Sequence, residues 1–186
     1  MADSEFLYPT VIFGAARGSS APAVTNRSRC GNNPVGVWHC GAVADPFNLQ
    51  RFVDAQADVY DRVRAELRAG AKRGHWIWFI FPQIASLGRS GTAQQFAIAS
   101  LDEAKAYLQH PTLGPRLREC TKLVLDVEGR SAEEIFGYPD YLKFRSCMTL
   151  FSTAAPDNTL FKSALLKYFH GQPDQPTLDI LARQST

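Results

Sequence analysis

The chain has 186 residues, 45% of them apolar and 20% charged, and carries a net charge of +2. A chain of this length buries roughly 70% of the surface that its unfolded form exposes, so it needs neither a metal ion nor a disulfide to fold. The balance of 20 basic against 18 acidic residues disfavours a role in binding duplex nucleic acid. The longest apolar run has six residues, Trp76 to Phe81, whereas a membrane-spanning helix needs about 20.

Residues 1–44 differ in composition from the rest of the chain. They carry five charged residues, many small or polar ones, and no sustained helical period. We interpret them as a poorly ordered extension to a domain formed by residues 45–186. After Glu5 the extension has no acidic residue and contains arginines and serines, a bias typical of mitochondrial transit peptides, but glycines and prolines interrupt any amphipathic helix there. It shows no secretory signal pattern.

The four cysteines form no C-x-x-C pair and no regular framework. The sequence therefore predicts neither a disulfide scaffold nor a metal site, and it indicates no cofactor. This cysteine usage is typical of a reducing compartment, so we predict a cytoplasmic location, with the mitochondrion as the alternative. Cys120 and Cys147 lie among apolar residues at helical spacing, which predicts small buried side chains.

Helical signals follow one another from Asp45 onward and predict an all-α fold, a compact orthogonal bundle of several helices. Asp45 and Pro46 begin a helix that Gly70 ends, and its apolar residues recur on one face. Capping boxes of the form S-x-x-E mark two further helix starts, at residues 100–103 and 131–134. Other predicted helices begin near Gly114, Pro139, Asp157 or Asn158, and Thr177.

The apolar segment Trp76–Phe81 conflicts with this picture, because aromatic and β-branched residues favour a strand. A single strand would have no partner in an otherwise helical chain, and its backbone groups would need hydrogen bonds. A short buried helix or a turn is therefore the more consistent interpretation.

The same segment opens a series of recognisable strings. Residues 75–83 read H-W-I-W-F-I-F-P-Q, and L-G-R-S follows at 87–90. Farther along are S-L-D-E-A-K-A-Y-L-Q-H-P-T-L-G-P-R-L at 100–117, I-F-G at 135–137 and D-Y-L-K-F-R-S-C-M-T-L-F at 140–151. With these strings the chain, from Asp45 to Leu181, resembles the bacterial and fungal family named domain of unknown function 1810 (DUF1810). The resemblance implies an all-helical domain and no established function.

Some members of that family carry the label calpastatin. Calpain inhibitors of that kind are disordered and repetitive. This chain has neither low-complexity composition nor internal repeats, so we give the label little weight.

The first of these strings holds four candidate site residues. His75 is the natural general acid or base, because histidine exchanges a proton near neutral pH; packing in the core is its alternative role. Trp76 and Trp78 offer indole faces on which a nucleobase or ribose can stack, although at least one of them is expected to pack in the core. The side-chain amide of Gln83 offers a hydrogen-bond donor and an acceptor, which suit either recognition of a base edge or stabilisation of a loop.

The loop Gly88–Thr92 precedes a predicted short helix and is the best candidate for binding an anion. Its glycines allow backbone amides to approach an anion, and Arg89 can hold phosphate oxygens with two hydrogen bonds. Ser90 adds a hydroxyl, although a helix cap and a solvated arginine explain the same residues. His110 and Arg116 supply a second proton donor and a second anion contact, and His110 is equally well explained as a cation at a helix end.

Asp140 and Lys143 lie one turn apart at the start of a predicted helix. An ordinary surface ion pair is the leading interpretation. If this helix start meets the tryptophan segment in space, Asp140 becomes a third candidate acid or base and Lys143 a ligand contact. Ser146 and Thr149 continue this spacing of three residues. Because a helix turns once every 3.6 residues, the four side chains cannot all face the same pocket.

Two functions are compatible with these residues. The first is the binding or hydrolytic processing of a phosphorylated small molecule, such as a nucleotide or an ADP-ribose derivative; helical ADP-ribose-processing domains are similar in placing L-G-R after an aromatic region. The second is a non-catalytic module that binds a protein partner through an aromatic patch. Whether the chain is an enzyme stays open. A cavity shared by His75, Gln83 and Arg89 would favour the first function, and an exposed aromatic patch the second. Full burial of the tryptophans with satisfied polar groups would weaken both.

Overall fold

The computed structural model describes residues 45–184, in which ten helices and no β-strand are present. The one β-type feature in that range is an isolated parallel bridge between Ile84 and Ile98. The predicted all-α fold is confirmed. Among the described helices, none is long and apolar enough to cross a membrane. The predictions for residues 1–44, a poorly ordered extension or a targeting segment, lie outside the described residues.

The stretch predicted as one helix from Asp45 to Gly70 forms two helices, α1 (Gln50–Ala57) and α2 (Tyr60–Arg68). The Asp45 carboxylate accepts a hydrogen bond of 3.0 Å from the amide of Gln50, as expected of a helix start. A turn then separates the helices, and α1 packs on the Trp76 segment while α2 packs on a later helix. The prediction of one helix was wrong, because two helices form and each packs on a different partner.

The Trp76–Phe81 segment contains a short buried helix, α3 (Ile77–Ile80). This confirms the prediction made from the need to satisfy its backbone groups. The amides of Ile80 and Phe81 donate to carbonyls four residues earlier, at 3.2 and 2.9 Å. The segment therefore satisfies its backbone locally and needs no neighbouring strand. The next helix, α4 (Gly91–Gln95), lies in the loop region that follows.

Three helices come next, α5 (Leu101–Gln109), α6 (Leu113–Leu125) and α7 (Ala132–Phe136). The capping box at Ser131 is confirmed in both directions. The box predicted at Ser100 forms only in part. The Ser100 hydroxyl accepts from the Glu103 amide, but the Glu103 carboxylate pairs with Arg51 at 2.6 Å and accepts the Ala99 amide at 2.7 Å. A buried ion pair with α1 therefore replaces the second half of the box.

The last three helices are α8 (Asp140–Ala154), α9 (Thr159–Phe169) and α10 (Gln175–Gln184). Helix α8 is central, because it packs against α3, α5, α7, α9 and α10. Its buried side chains point around most of its circumference. Only its ends reach the surface, and both ends matter for the sites described below.

Candidate functional site

The loop before α3 folds around the carboxylate of Glu66. Its Oε2 accepts three N–H bonds, from the amides of Arg73 and Gly74 at 2.7 and 2.9 Å and from Nε1 of Trp76 at 2.8 Å. Burial raises the pKa of Glu66, but these three bonds outweigh it and hold the pKa below its ordinary value. A Cβ on Gly74 would lie 2.7 Å from the Trp76 ring, so the loop requires glycine at that position.

A cavity of about 490 Å³ opens beside this carboxylate. Phe79 and Trp76 form part of its wall, and Arg62, Arg73 and His75 lie around it. Arg73 and His75 are exposed, and within residues 45–184 neither the guanidinium of Arg73 nor the imidazole of His75 has a hydrogen-bond or ion-pair partner. The Nε atom of Arg62 lies 4.0 Å from Glu66 Oε1. The cavity thus has a cationic rim and an aromatic wall.

A second charged cluster meets the other tryptophan. Asp140, the first residue of α8, pairs with Nζ of Lys143 at 2.6 Å and with Nζ of Lys72 at 2.7 Å. Burial raises the pKa of Asp140, but the hydrogen bonds from the two ammonium groups hold it below its ordinary value. The Lys143 ammonium lies 4.6 Å from the ring centre of Trp78, which makes a cation–π contact.

The buried indole of Trp76 lies between the two clusters. It is 1% exposed, its Nε1 donates to Glu66, and Lys72 Nζ lies 5.3 Å from its ring centre. The structure therefore brings four of the predicted site residues into one connected cluster: Trp76, Trp78, Asp140 and Lys143. Lys72, which is 8% exposed at its side chain, was missed by the sequence analysis, as were Glu66, Arg62 and Arg73.

The residues that sequence reasoning missed had a weak signal or none. Lys72 and Arg73 stand immediately before the G-H-W string, and that basic pair could have been noticed. Nothing in the sequence marks Glu66, because it lies on the face of a helix with other charged residues.

The predicted anion loop lies apart from these clusters. Ser90 caps α4 by accepting the amide of Ala93 at 3.2 Å, and Arg89 is exposed. A Cβ on Gly88 would overlap the Cβ of Ala93, so glycine at this position allows the loop to pack closely against α4. Gln83 is half-buried, and its carbonyl accepts the Ile98 amide at 2.9 Å. The cavity that contains His75 is lined by none of Gln83, Arg89 and Ser90. The shared cavity of His75, Gln83 and Arg89 that the first function called for is therefore not formed, and a phosphate site must be argued from other cations.

Arg116 holds a buried glutamine. It donates to Gln56 Oε1 at 3.2 Å and stacks over the ring of Tyr60 at 4.3 Å. The amide of Gln56 donates in turn to the Phe79 carbonyl at 2.7 Å and to the Tyr107 hydroxyl at 3.3 Å. Arg116 thereby holds the glutamine that binds the backbone of α3 at Phe79.

His110 caps the start of α6. Its Nδ1 accepts the amides of Thr112 and Leu113 at 3.1 and 3.3 Å. These two contacts give His110 a structural role at the start of α6. His110 lines a different cavity, of about 420 Å³, with Asp45 and Phe47 among its walls.

The two described cysteines, Cys120 and Cys147, are free and fully buried, as predicted. Burial raises the pKa of the Cys120 thiol to about 12 and that of Cys147 well above its ordinary value. Neither thiol therefore serves as a nucleophile at neutral pH. Across the described part of the chain, no three side chains of the types that bind metals gather at one point.

Together these features define a class: a small all-α domain in which helix α2 and an aromatic loop frame a cationic cavity beside a buried tryptophan. The family model described as protein of unknown function (DUF1810) matches residues 46–181. The chain therefore belongs to the DUF1810 family, and the resemblance drawn from its strings is confirmed.

One solved structure is closely similar. The conserved hypothetical protein Rv1873 from Mycobacterium tuberculosis, in a crystal structure at 1.38 Å, is 59% identical over 74% of this chain and 99% of that chain, with a TM-score of 0.74. No curated protein matches the chain. Neither matching description names an activity, so a function has to be argued from the site.

Proposed function

We propose that this domain binds a phosphorylated small molecule, of the nucleotide or ADP-ribose type, in the cavity beside Trp76. The observation that carries the proposal is the cationic rim. Arg62, Arg73 and His75 surround a space of about 490 Å³, which falls within the range of about 300–1,000 Å³ typical of ligand pockets. Arginine is the side chain best suited to phosphate, because its planar fork donates two parallel hydrogen bonds.

The charge balance of the cavity supports this assignment. Glu66 is the acidic residue in the lining, and its three N–H donors already take up one of its oxygens. Arg62 is 64% exposed and 4.0 Å from that carboxylate, so neither arginine is committed to a tight internal ion pair. Both remain available for an anion.

The walls suit a base or a ribose. Phe79 is half-buried and lines the cavity, and an aromatic face stacks on any nucleobase. Trp76 contributes its indole from below, fixed by Glu66 and Lys72. Asp140 and Lys143 act in this proposal as positioning residues, because Asp140 pairs with both Lys143 and Lys72 and Lys72 lies against Trp76. Neither Lys143 nor Trp78 lines the cavity.

His75 is the group that would exchange a proton if the ligand is hydrolysed. It is exposed at the cavity and has no partner within residues 45–184. Asp140 is bound by two ammonium groups and ionised, so it does not donate a proton. His110 lies in another cavity, where it caps α6. Of the three predicted acid or base residues, His75 therefore fits the role best.

Calorimetry tests the binding. ADP-ribose is titrated into the wild type, Arg73→Ala and Arg89→Ala, and adenosine serves as the ligand without phosphate. Both arginines are exposed, so neither change threatens the fold. We expect adenosine to bind weakly, Arg73→Ala to weaken ADP-ribose by about tenfold or more, and Arg89→Ala to bind like the wild type. Equal affinity in Arg73→Ala and the wild type would reject this cavity, and loss in Arg89→Ala alone would place the anion at the loop.

Chromatography of the same mixtures tests turnover. If His75 acts as acid or base, wild-type protein releases a product from ADP-ribose, and His75→Gln binds the ligand without releasing it. Absence of product from the wild type would leave a binding domain without hydrolysis.

A protein-interaction module is the second candidate, and the first turn of α8 with the residues just before it favours this function. Tyr138 is 77% exposed and Leu142 is 38% exposed, with the rings of Tyr138 and Tyr141 6.4 Å apart. The patch predicted from Trp76, Trp78 and Phe79 is instead buried or half-buried. A photocrosslinking residue at position 142 of the full chain should then capture one defined protein, and Tyr138→Ser should abolish that adduct. An adduct unaffected by Tyr138→Ser would count against the module.

A further inference from the structure

A second cavity, of about 850 Å³, lies where the end of α8 meets α9 and α10. We propose that it binds a polyhydroxylated ligand of monosaccharide size that carries one anionic group. The site is separate from the one beside Trp76. Ser152 and Thr153 contribute to it from the last turn of α8, whereas Asp140 is at the first turn, roughly 20 Å away along the helix.

Several hydroxyl groups of the lining already donate their hydrogens within the protein. Ser152 and Thr153 both donate to the Thr149 carbonyl, at 2.9 and 3.0 Å, and Thr159 donates to Asp157 at 3.0 Å. Asn158 donates to the Ser152 carbonyl at 3.0 Å, which leaves its own amide oxygen free. A hydroxyl that has donated its hydrogen can still accept one. Ser152, Thr153, Asn158 and Thr159 therefore each offer the cavity an acceptor oxygen, and a ligand that matches them must bring several donors.

Thr149 shows that the arrangement is rigid. Its hydroxyl donates to the Arg145 carbonyl at 2.9 Å and accepts the Asp174 amide at 2.8 Å. These two bonds tie the middle of α8 to the segment that leads into α10. The acceptor oxygens are thus held by a network that does not have to form when a ligand enters.

One charge faces this cavity. Lys162 lies in the lining, and no other charged residue among the described ones does. Its ammonium has no hydrogen-bond or ion-pair partner within the part of the chain that the structure describes. A donor-rich ligand with one carboxylate or phosphate group would pair with Lys162 while its hydroxyls donate to the acceptor oxygens.

Apolar surface completes the site. Leu166, which is 68% exposed, and Leu178 and Pro173 lie in the same lining. Among the described residues, Leu166 is one of three large apolar side chains that are exposed. The C–H face of a sugar ring would cover it, which a linear polyamine or a bare anion would not.

The test is a titration of the ¹⁵N-labelled full chain with glucose 6-phosphate and with glucuronate, followed by amide shifts. Glucose and inorganic phosphate are the controls that lack one half of the chemistry. We expect both anionic sugars to shift amides of residues 149–153 and 158–163 and both controls to bind more weakly. The two anionic sugars share a glucose-type ring and carry different anionic groups at position 6, so the tighter one identifies the preferred group.

Four variants locate the contacts. Lys162→Met should weaken the better sugar by about tenfold, and Lys162→Arg should restore part of the affinity. Thr153→Val, which removes an acceptor at an exposed position, should weaken it by about fivefold. Lys122→Met, an exposed lysine on α6 outside the cavity, should change nothing.

Several outcomes would overturn the proposal. One is the absence of amide shifts at millimolar sugar. Another is that inorganic phosphate or neutral glucose binds as tightly as the anionic sugars. A third is equal affinity in Lys162→Met and the wild type. Shifts confined to residues 62–79 would assign the sugar phosphate to the cavity beside Trp76 and would also overturn it. Because the two cavities share no residue, failure here leaves the ADP-ribose titration informative.

Discussion

Glu66 is the residue around which the candidate site is arranged. One oxygen of its carboxylate accepts two backbone amides and the indole of Trp76, so the loop and the buried ring depend on a single charged side chain. Replacement of a carboxylate that accepts several N–H bonds weakens each of them, because charge-assisted bonds are about twice as strong as neutral ones.

Glu66→Gln should therefore destabilise the domain by about 1–3 kcal/mol at pH 7. The pKa of Glu66 is lowered in the folded state, so its contribution is complete above about pH 5 and is lost as the pH falls through the folded-state pKa. The difference between wild type and variant should accordingly shrink toward pH 3. Urea unfolding at pH 7, 5 and 3 measures it.

The control for this prediction is Glu133→Gln, which changes an exposed glutamate on α7 and should leave the pH dependence unaltered. A difference between wild type and Glu66→Gln that stays constant from pH 7 to pH 3 would show that the carboxylate charge is not the stabilising feature.

At the scale of elements, the junction between α5 and α6 depends on a side chain that the sequence presented as a candidate acid. His110 ends α5 and its Nδ1 caps α6. The close packing there includes Gly114, because a Cβ on that residue would overlap the Leu108 carbonyl. The geometry makes His110 a structural residue of the junction.

His110→Ala should cost about 1 kcal/mol of stability, the usual effect of losing an N-terminal cap. His110→Asn keeps a short acceptor at the same position and should recover most of it. Thermal unfolding of the three proteins measures the effect, and ADP-ribose titration should show equal affinity for all. Reduced affinity in a stably folded His110→Asn would instead assign the histidine to the ligand site.

At the scale of the whole molecule, the described residues contain a single hydrophobic core that surrounds α8 and extends from Leu49 to Leu181. Its parts include rings packed edge to face, such as Phe81 with Phe144 at 5.0 Å between centres. The two cavities lie at the surface of this core, one beside the aromatic loop and one at the far end of α8.

A fragment that begins at Asp45 should fold by itself and unfold within about 3 °C of the full chain, because the core lies within residues 45–184. A change of 1 kcal/mol shifts the melting temperature of such a domain by about 2–8 °C. Circular dichroism melts compare the two proteins. A fragment that fails to give a cooperative transition would show that residues 1–44 contribute to the fold and would reject the proposed domain boundary.

The sequence by itself determined the helical class, the capping box at Ser131, the buried cysteines and the family. These features are local, because helical period and capping act over three or four residues. It misjudged the stretch from Asp45 to Gly70, since the turn there serves contacts with two different partners.

Only the tertiary structure decided which side chains meet. Trp76 lies close to Lys72 and, through it, to Asp140, while Arg89, only six residues after Gln83, lines neither of the cavities proposed as sites. Partners brought together from distant parts of a chain follow from how helices pack, and packing depends on the whole set of buried faces at once. No short string of residues contains that information.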